Sequence, residues 1–177
     1  MPASEVMKLR VLHILDDKNY NPDWRRYFRE AVRVVIIKDK RIALVKSKTE
    51  GFFKFPGGGI EHGESHLNAI IRETQEETGL HIIPQSVVEL GMVWELRKGA
   101  CAEEIFEQKS YHYYADIEDT VTAQNLSELE KELAFELTWT DIETAYNINT
   151  ELGKTSEKTY ILREAYVLKH LLDLQRK

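Results

Sequence analysis

The chain has 177 residues, 42% apolar and 31% charged, with one cysteine, Cys101, and a net charge of −6 at pH 7. A chain of this length can bury enough apolar surface to fold as one domain, 1–177, without disulfides or a structural metal, and a lone cysteine excludes an intrachain disulfide. The acidic balance argues against a dedicated binder of polymeric nucleic acid, no stretch reaches the ~20 apolar residues of a membrane span, and "MPASEVMKLR" lacks the apolar core of a signal peptide, so a cytoplasmic protein is expected.

In chain order, a first strand is expected over Met7–Leu15, followed by the polar turn "DDKNYNPD", and 1–30 read as an N-terminal addition. "AVRVVII" and "RIALV", separated by Lys38, Asp39 and Lys40, read as the β-branched strands of a hairpin, with Phe52–Phe55 extending the sheet. From His66 to Thr78 the period changes. Leu67, Ile70, Ile71, Thr74 and Thr78 return to one side of a helix, with Ser65 as N-cap and Gly79 as C-terminal stop. Strands follow at Val87–Leu96, Gln108–Ile117 and Leu133–Thr140, then a short helix at Asp141–Tyr146 and an amphipathic one at Ser156–Leu174, within a C-terminal helical stretch 155–177. The fold class expected is α+β, helices packed against a mixed sheet.

Charge is uneven along the chain. Trp24–Lys48 holds nine Lys or Arg against two acids, and Cys101–Glu136 ten acids against two Lys. Two solvated faces of opposite sign account for this more simply than a phosphate-steering surface. In the helix, Glu73, Glu76 and Glu77 sit just before Gly79, where the dipole is already negative, on an arc flanking a stripe centred near Leu67. Glu61–Leu80 carries five glutamates and one arginine, and a divalent cation would cancel most of that charge. Oxygen-only donors favour a hard ion, Mg2+ or Mn2+, over zinc. The preceding "FPGGGIEHGES" permits tight turns and close backbone approach to a ligand, but Glu64 stands where a phosphate loop needs lysine, which rules that motif out.

Taken together, Gly58, Glu64, Arg72, Glu73, Glu76, Glu77, Gly79 and Leu80 match G-x5-E-x7-R-E-U-x-E-E-x-G-U, where U is a bulky aliphatic, over the 23 residues Gly58–Leu80. In this the chain resembles the Nudix hydrolases (MutT-like). One position departs, Thr74 standing where the family usually has an aliphatic residue. The resemblance implies an α/β/α sandwich with a mixed sheet, and Mg2+-dependent water attack on a phosphorus of a small nucleoside diphosphate derivative. By carry-over, Glu76 and Glu77 are the principal metal ligands, Glu73 a further ligand or the general base, Arg72 the group that orients Glu73, and Gly57 a carbonyl ligand. Gly58, Glu64 and Gly79 are structural members of the box. A non-catalytic ligand sensor on the same fold is the alternative, and an isomerase on that fold ranks last. A homodimer is left open.

For a further carboxylate outside the box the candidates are Glu128, Glu130 and Glu132, with Glu103, Glu104 and Glu107 competing. His62 and His66 read as solvated loop residues, Tyr111, Tyr113 and Tyr114 as core aromatics, and Cys101, beside acids, as an unreactive thiol. Trp24, Tyr27 and Phe28, interleaved with Arg25, Arg26 and Arg29, read as core and rim packing, with base and phosphate binding as the other use. The proline and tyrosine that some Nudix subfamilies for ADP-ribose or dinucleoside polyphosphates carry about 16 residues after the box are replaced by Glu95, Leu96 and Arg97. That lowers those substrates and leaves nucleoside triphosphates and nucleotide sugars open.

Overall fold

The computed structural model describes residues 10–176. Residues Met7–Leu9 of the expected first strand lie outside that range; the strand itself, β1, runs Val11–Asp16. It is followed by β2 (Arg25–Val35), β3 (Ile37–Lys38), β4 (Arg41–Ser47), β5 (Phe53–Lys54), α1 (His66–Thr78), β6 (Leu80–Ile82), β7 (Val88–Lys98), β8 (Glu104–Tyr114), β9 (Ile117–Val121), α2 (Glu128–Glu132), β10 (Phe135–Thr140), α3 (Ile142–Gly153) and α4 (Thr159–Gln175).

Two sheets form the centre. One has the order β1-β7-β8-β2, mixed, with parallel outer pairs around the antiparallel β7/β8; the other is antiparallel, β10-β4-β3, with β5 also on β4. Of the expected hairpin only the end pairs with β4, through β3, and its turn residues Asp39 and Lys40 both have positive φ, as a tight hairpin turn requires; Ala31–Val35 belong instead to β2 and pair in parallel with β8 in the other sheet. Alternation along the strands separates two cores. Val32, Val34 and Ile36 point to α1, packing with Ala69 and Ile70, whereas Val35, Ile42 and Leu44 point to α3 and α4, packing with Ala145, Val167 and Leu168. Helices therefore cover both faces, an α/β/α sandwich of the α+β class.

The N-terminal stretch is not peripheral. Arg25–Glu30 form the first half of β2 and pair in parallel with Glu104–Lys109, while β1 pairs with β7. Beyond β8, the edge of β2 is taken by the glycine loop: Val32 donates to the Gly58 carbonyl at 3.0 Å, Val34 to Pro56 at 2.9 Å, and Ile60 to Glu30 at 3.1 Å. Side chains from the C-terminal helices hold the strand leading into that loop. Asn149 of α3 bonds both backbone groups of Phe53, and the Glu164 carboxylate of α4 accepts from Phe55 N at 2.9 Å. Among the described residues no helix is long and apolar enough to cross a membrane.

Candidate active site

Helix α1 has the expected limits. Ser65 Oγ accepts from Asn68 N at 3.2 Å, and Gly79, at φ 73°, donates to Gln75 O at 2.8 Å; a Cβ there would lie 2.0 Å from the Thr122 carbonyl. No basic side chain occupies the last turn. Segment 122–125 meets that end instead: Asn125 N donates to Glu76 O at 2.7 Å, Thr122 N to Gly79 O at 2.8 Å, and the Gln124 amide to Glu77 O. These donors satisfy carbonyls that a helix end otherwise leaves open.

The buried face differs from the stripe expected around Leu67, which is 38% exposed. It runs through Ala69, Ile70, Thr74, Glu77 and Thr78. Glu77 is therefore not on the flank with Glu73 and Glu76 but inside, under the glycine loop.

Each of the three consecutive glycines touches one box side chain. Glu77 accepts from Gly57 N at 2.9 Å. The Glu73 carboxylate lies against Gly58, where a Cβ would stand 2.4 Å from it. Arg72 donates to the Gly59 carbonyl at 3.1 Å. Gly57 is at φ 137° with Val32 O 2.1 Å from its missing Cβ, so no side chain is tolerated there.

Arg72 is the hub. Glu64 takes its guanidinium in parallel, at 2.8 and 2.9 Å, Glu73 at 2.8 Å and Glu76 at 3.3 Å. The hydrogen bond from Arg72 holds the Glu64 carboxyl below its usual range. Glu77 has a different cation. Lys54 of β5 donates to its carboxylate and, at 3.2 Å, to the Gly57 carbonyl. Burial pushes Glu77 up to about 7 against the pull of Lys54 and Gly57 N.

Among the described residues no three His, Cys, Asp or Glu side chains stand preassembled around a cation position. The donor set nevertheless suits a hard divalent ion, being entirely oxygen, and the Lys54 ammonium already stands between Glu77 and the Gly57 carbonyl, two of its members. A metal bound there would exchange ion-pair partners rather than fill a finished cage.

Outside the box, Glu104 and Glu107 are tied to Arg25 and Arg26, each at 2.7 Å, and Glu128 to Lys131. Glu130 closes the capping box of α2 and lines a cavity shared with Lys54. Glu103 and Glu132 are exposed. His62 is exposed, whereas His66 is half-buried, its Nδ1 2.6 Å from the Tyr113 hydroxyl and its ring 4.5 Å from that of Tyr111. Tyr113 and Tyr114 pack into opposite cores, as alternation requires.

Residues without a local sequence signal complete the site. Arg33, Arg163, Glu164 and Glu95 form a buried ionic cluster: Arg163 reaches Glu164 at 2.7 Å and Glu95 at 3.2 Å. Burial opposes charge on Glu164, but Arg163 and Arg33 together hold its carboxyl below the usual range. Burial also lowers Arg33 to about 10 and His112 to about 3. The only hint in sequence is a charged residue at an apolar phase, as in the strand "VRVV".

The NUDIX domain family model matches residues 27–162. The chain belongs to the Nudix family. It is 28% identical over 122 residues to "Uncharacterized Nudix hydrolase YvcI" of Bacillus subtilis, covering 69% of this chain and 72% of that protein. It is 45% identical over 62 residues to an "ADP-ribose pyrophosphatase" of Methanocaldococcus jannaschii, covering 32% of this chain and 37% of that protein. In structure it matches a NUDIX hydrolase from Nitrosomonas europaea with a TM-score of 0.54 at 19% identity, over 80% of this chain and 90% of the other, which is a likeness of fold. The matched span begins inside β2 and ends inside α4, so all the box residues and the first residues of α4 fall within this Nudix domain.

Proposed function

We propose that this Nudix protein is a Mg2+-dependent pyrophosphohydrolase of a small nucleoside diphosphate derivative, with Mn2+ as a substitute ion. The carrying observation is the convergence of Glu77, Glu73 and Arg72 on Gly57, Gly58 and Gly59, which gathers anionic oxygens beside a loop whose backbone a ligand can approach. A bound divalent ion supplies charge neutralisation to the diphosphate oxygens and lowers the barrier to water attack at phosphorus.

The residues of the chain divide the remaining work. Glu76, Glu77 and the Gly57 carbonyl would hold the ion. Glu73, packed on Gly58 and hydrogen-bonded to Arg72, is a further ligand or accepts the proton of the attacking water. Arg72 fixes Glu73 while Glu64, gripping two of its nitrogens, fixes Arg72. Lys54, which lines the adjoining cavity, would be freed from Glu77 by a bound ion and would then be available to the substrate phosphates.

The test is a panel of phosphoanhydrides with Mg2+ and mass-spectrometric identification of products. It includes ADP-ribose, because of the name of the archaeal relative, together with nucleoside triphosphates and nucleotide sugars. Metal-dependent release of a nucleotide or phosphate from at least one compound is expected. Failure across the panel with folded, metal-loaded protein contradicts the reading.

A further inference from the structure

Beside the glycine loop lies a cavity of about 300 Å3 whose wall includes Arg29, Arg33, Lys54, Glu95, Arg97 and Arg163. The sheet register explains the gathering. Arg29, Gln108 and Glu95 stand in one cross-strand row and Tyr27, Phe106 and Arg97 in the next on the same face, while α4 contributes Arg163.

Most of this charge is answered within the protein. Arg163 lies between Glu164 and Glu95, Arg97 donates to Glu95 at 3.2 Å, and Lys54 is held by Glu77. One guanidinium is not answered, and a second, though ion-paired, keeps an unmet hydrogen-bond donor. Among the described residues Arg29 has no carboxylate partner, and its Nη2 comes within 3.0 Å of where a Cβ on Gly59 would stand. Arg33 is 6% exposed and spends Nη1 on the Val32 carbonyl; its Nε has no hydrogen-bond partner, with Glu164 standing 3.9 Å away. An unmet donor on a buried cation costs free energy that a ligand can recover.

We propose that this cavity holds a phosphoryl group of the substrate other than the two joined by the scissile anhydride, with Arg29 and Arg33 as its ligands. The substrate class is then nucleotides that carry at least three phosphoryl groups. This rests on the reading of the box as the site of anhydride cleavage. A terminal phosphoryl dianion has the charge and the oxygens to meet both Arg29 and the unmet donor of Arg33, a carboxylate has charge for one guanidinium, and a neutral sugar has none. A base is the poorer occupant, because the rings of Phe106 and Phe135 in the wall already carry cations, Arg97 at 4.0 Å and Lys54 at 5.2 Å. The two ligands also have the right place: Gly57 packs on the backbone of Arg33 and Gly59 on the guanidinium of Arg29, so both flank the loop at which the anhydride would lie. Glu164 is a positioning residue that fixes Arg163 and the strand before the loop.

The test has two arms. Calorimetry on metal-free protein, chosen because metal chelates polyphosphate, compares tripolyphosphate with pyrophosphate; kinetics with Mg2+ compares a nucleoside triphosphate with a nucleoside diphosphate hexose. Tripolyphosphate is expected to bind at least about tenfold tighter than pyrophosphate, the size of one charge-assisted contact. R29Q, at an exposed position, is expected to erase most of that preference and to lower the kcat/KM ratio of triphosphate to sugar substrate by about as much. R33M tests the buried partner, with its fold checked by circular dichroism. A preference that survives R29Q overturns the assignment, as does an equal loss for both anions, which would put Arg29 on the scissile diphosphate. A calorimetric preference that R29Q erases, with neither substrate hydrolysed, supports the cavity assignment and overturns the hydrolase reading instead.

Discussion

The ammonium of Lys54 is shared by the Glu77 carboxylate and the Gly57 carbonyl, two of the oxygens assigned above to the divalent ion. A metal ion bound by those oxygens would therefore compete with the lysine for one position. K54M should destabilise the metal-free protein by roughly 3 kcal/mol at pH 8, since it strands a buried carboxylate, and by less at pH 6, where Glu77 takes up a proton. It should also bind Mn2+ more tightly than the parent at pH 8. Thermal unfolding with and without metal, and Mn2+ titration followed by electron paramagnetic resonance, check both parts; unchanged Mn2+ affinity would refute the competition.

Gly58 separates activity from stability. Its backbone is not left-handed, so alanine is allowed locally, yet the added methyl would stand 2.4 Å from the Glu73 carboxylate. G58A is expected to unfold within about 1 kcal/mol of the parent and to lose about 100-fold or more in kcat, because a misplaced group near the reacting atoms costs that much. A comparable fall in melting temperature and activity would show that Gly58 serves folding alone.

Thr74, the departure from the family pattern, is fully buried with Oγ1 unpartnered. T74V keeps the shape and removes the orphaned hydroxyl, so it should stabilise the protein by about 1 kcal/mol. A urea midpoint that fails to rise would mean the hydroxyl has a partner in solution.

His112 is wholly buried, and burial lowers it to about 3 from an ordinary 6.5. The native state thus stays neutral where the unfolded chain takes a proton. The stability contributed is present above pH 6.5 and lost as pH falls toward 3. Between pH 7 and 5 the parent should lose roughly 2 kcal/mol more than H112Q. Parallel stability curves for the two proteins over that range would contradict the assignment.

What was legible in the sequence was what local chemistry determines. Ser65 and Gly79 bound α1 because a cap and a left-handed glycine act on neighbouring residues. The early start of β2 at Arg25 was hidden, since "RRYFRE" has no apolar alternation and is held by β8, about 80 residues away. The same distance hid Glu77: its burial depends on Lys54, a residue of another element whose role no helical period reveals. Arg33, Arg163 and Glu164 followed suit, each a charge in an apolar phase that makes sense only once β2 and α4 are packed together. The short α2 was missed although its capping box, Ser127 with Glu130, is written in the chain.

The central claim, that the box carboxylates serve a metal ion at a phosphoanhydride, is tested most directly at Glu76. Its side chain is 40% exposed and, among the described residues, is bound only by Arg72 at 3.3 Å, whereas Glu77→Gln would also disturb Lys54. Mg2+-dependent hydrolysis of the best substrate from the panel is measured for the parent and for E76Q, with unfolding midpoints recorded in parallel. The predicted result is an unfolding free energy within about 0.5 kcal/mol of the parent and a rate lower by roughly 100-fold or more. Parent-level, metal-dependent hydrolysis by a folded E76Q would contradict the account.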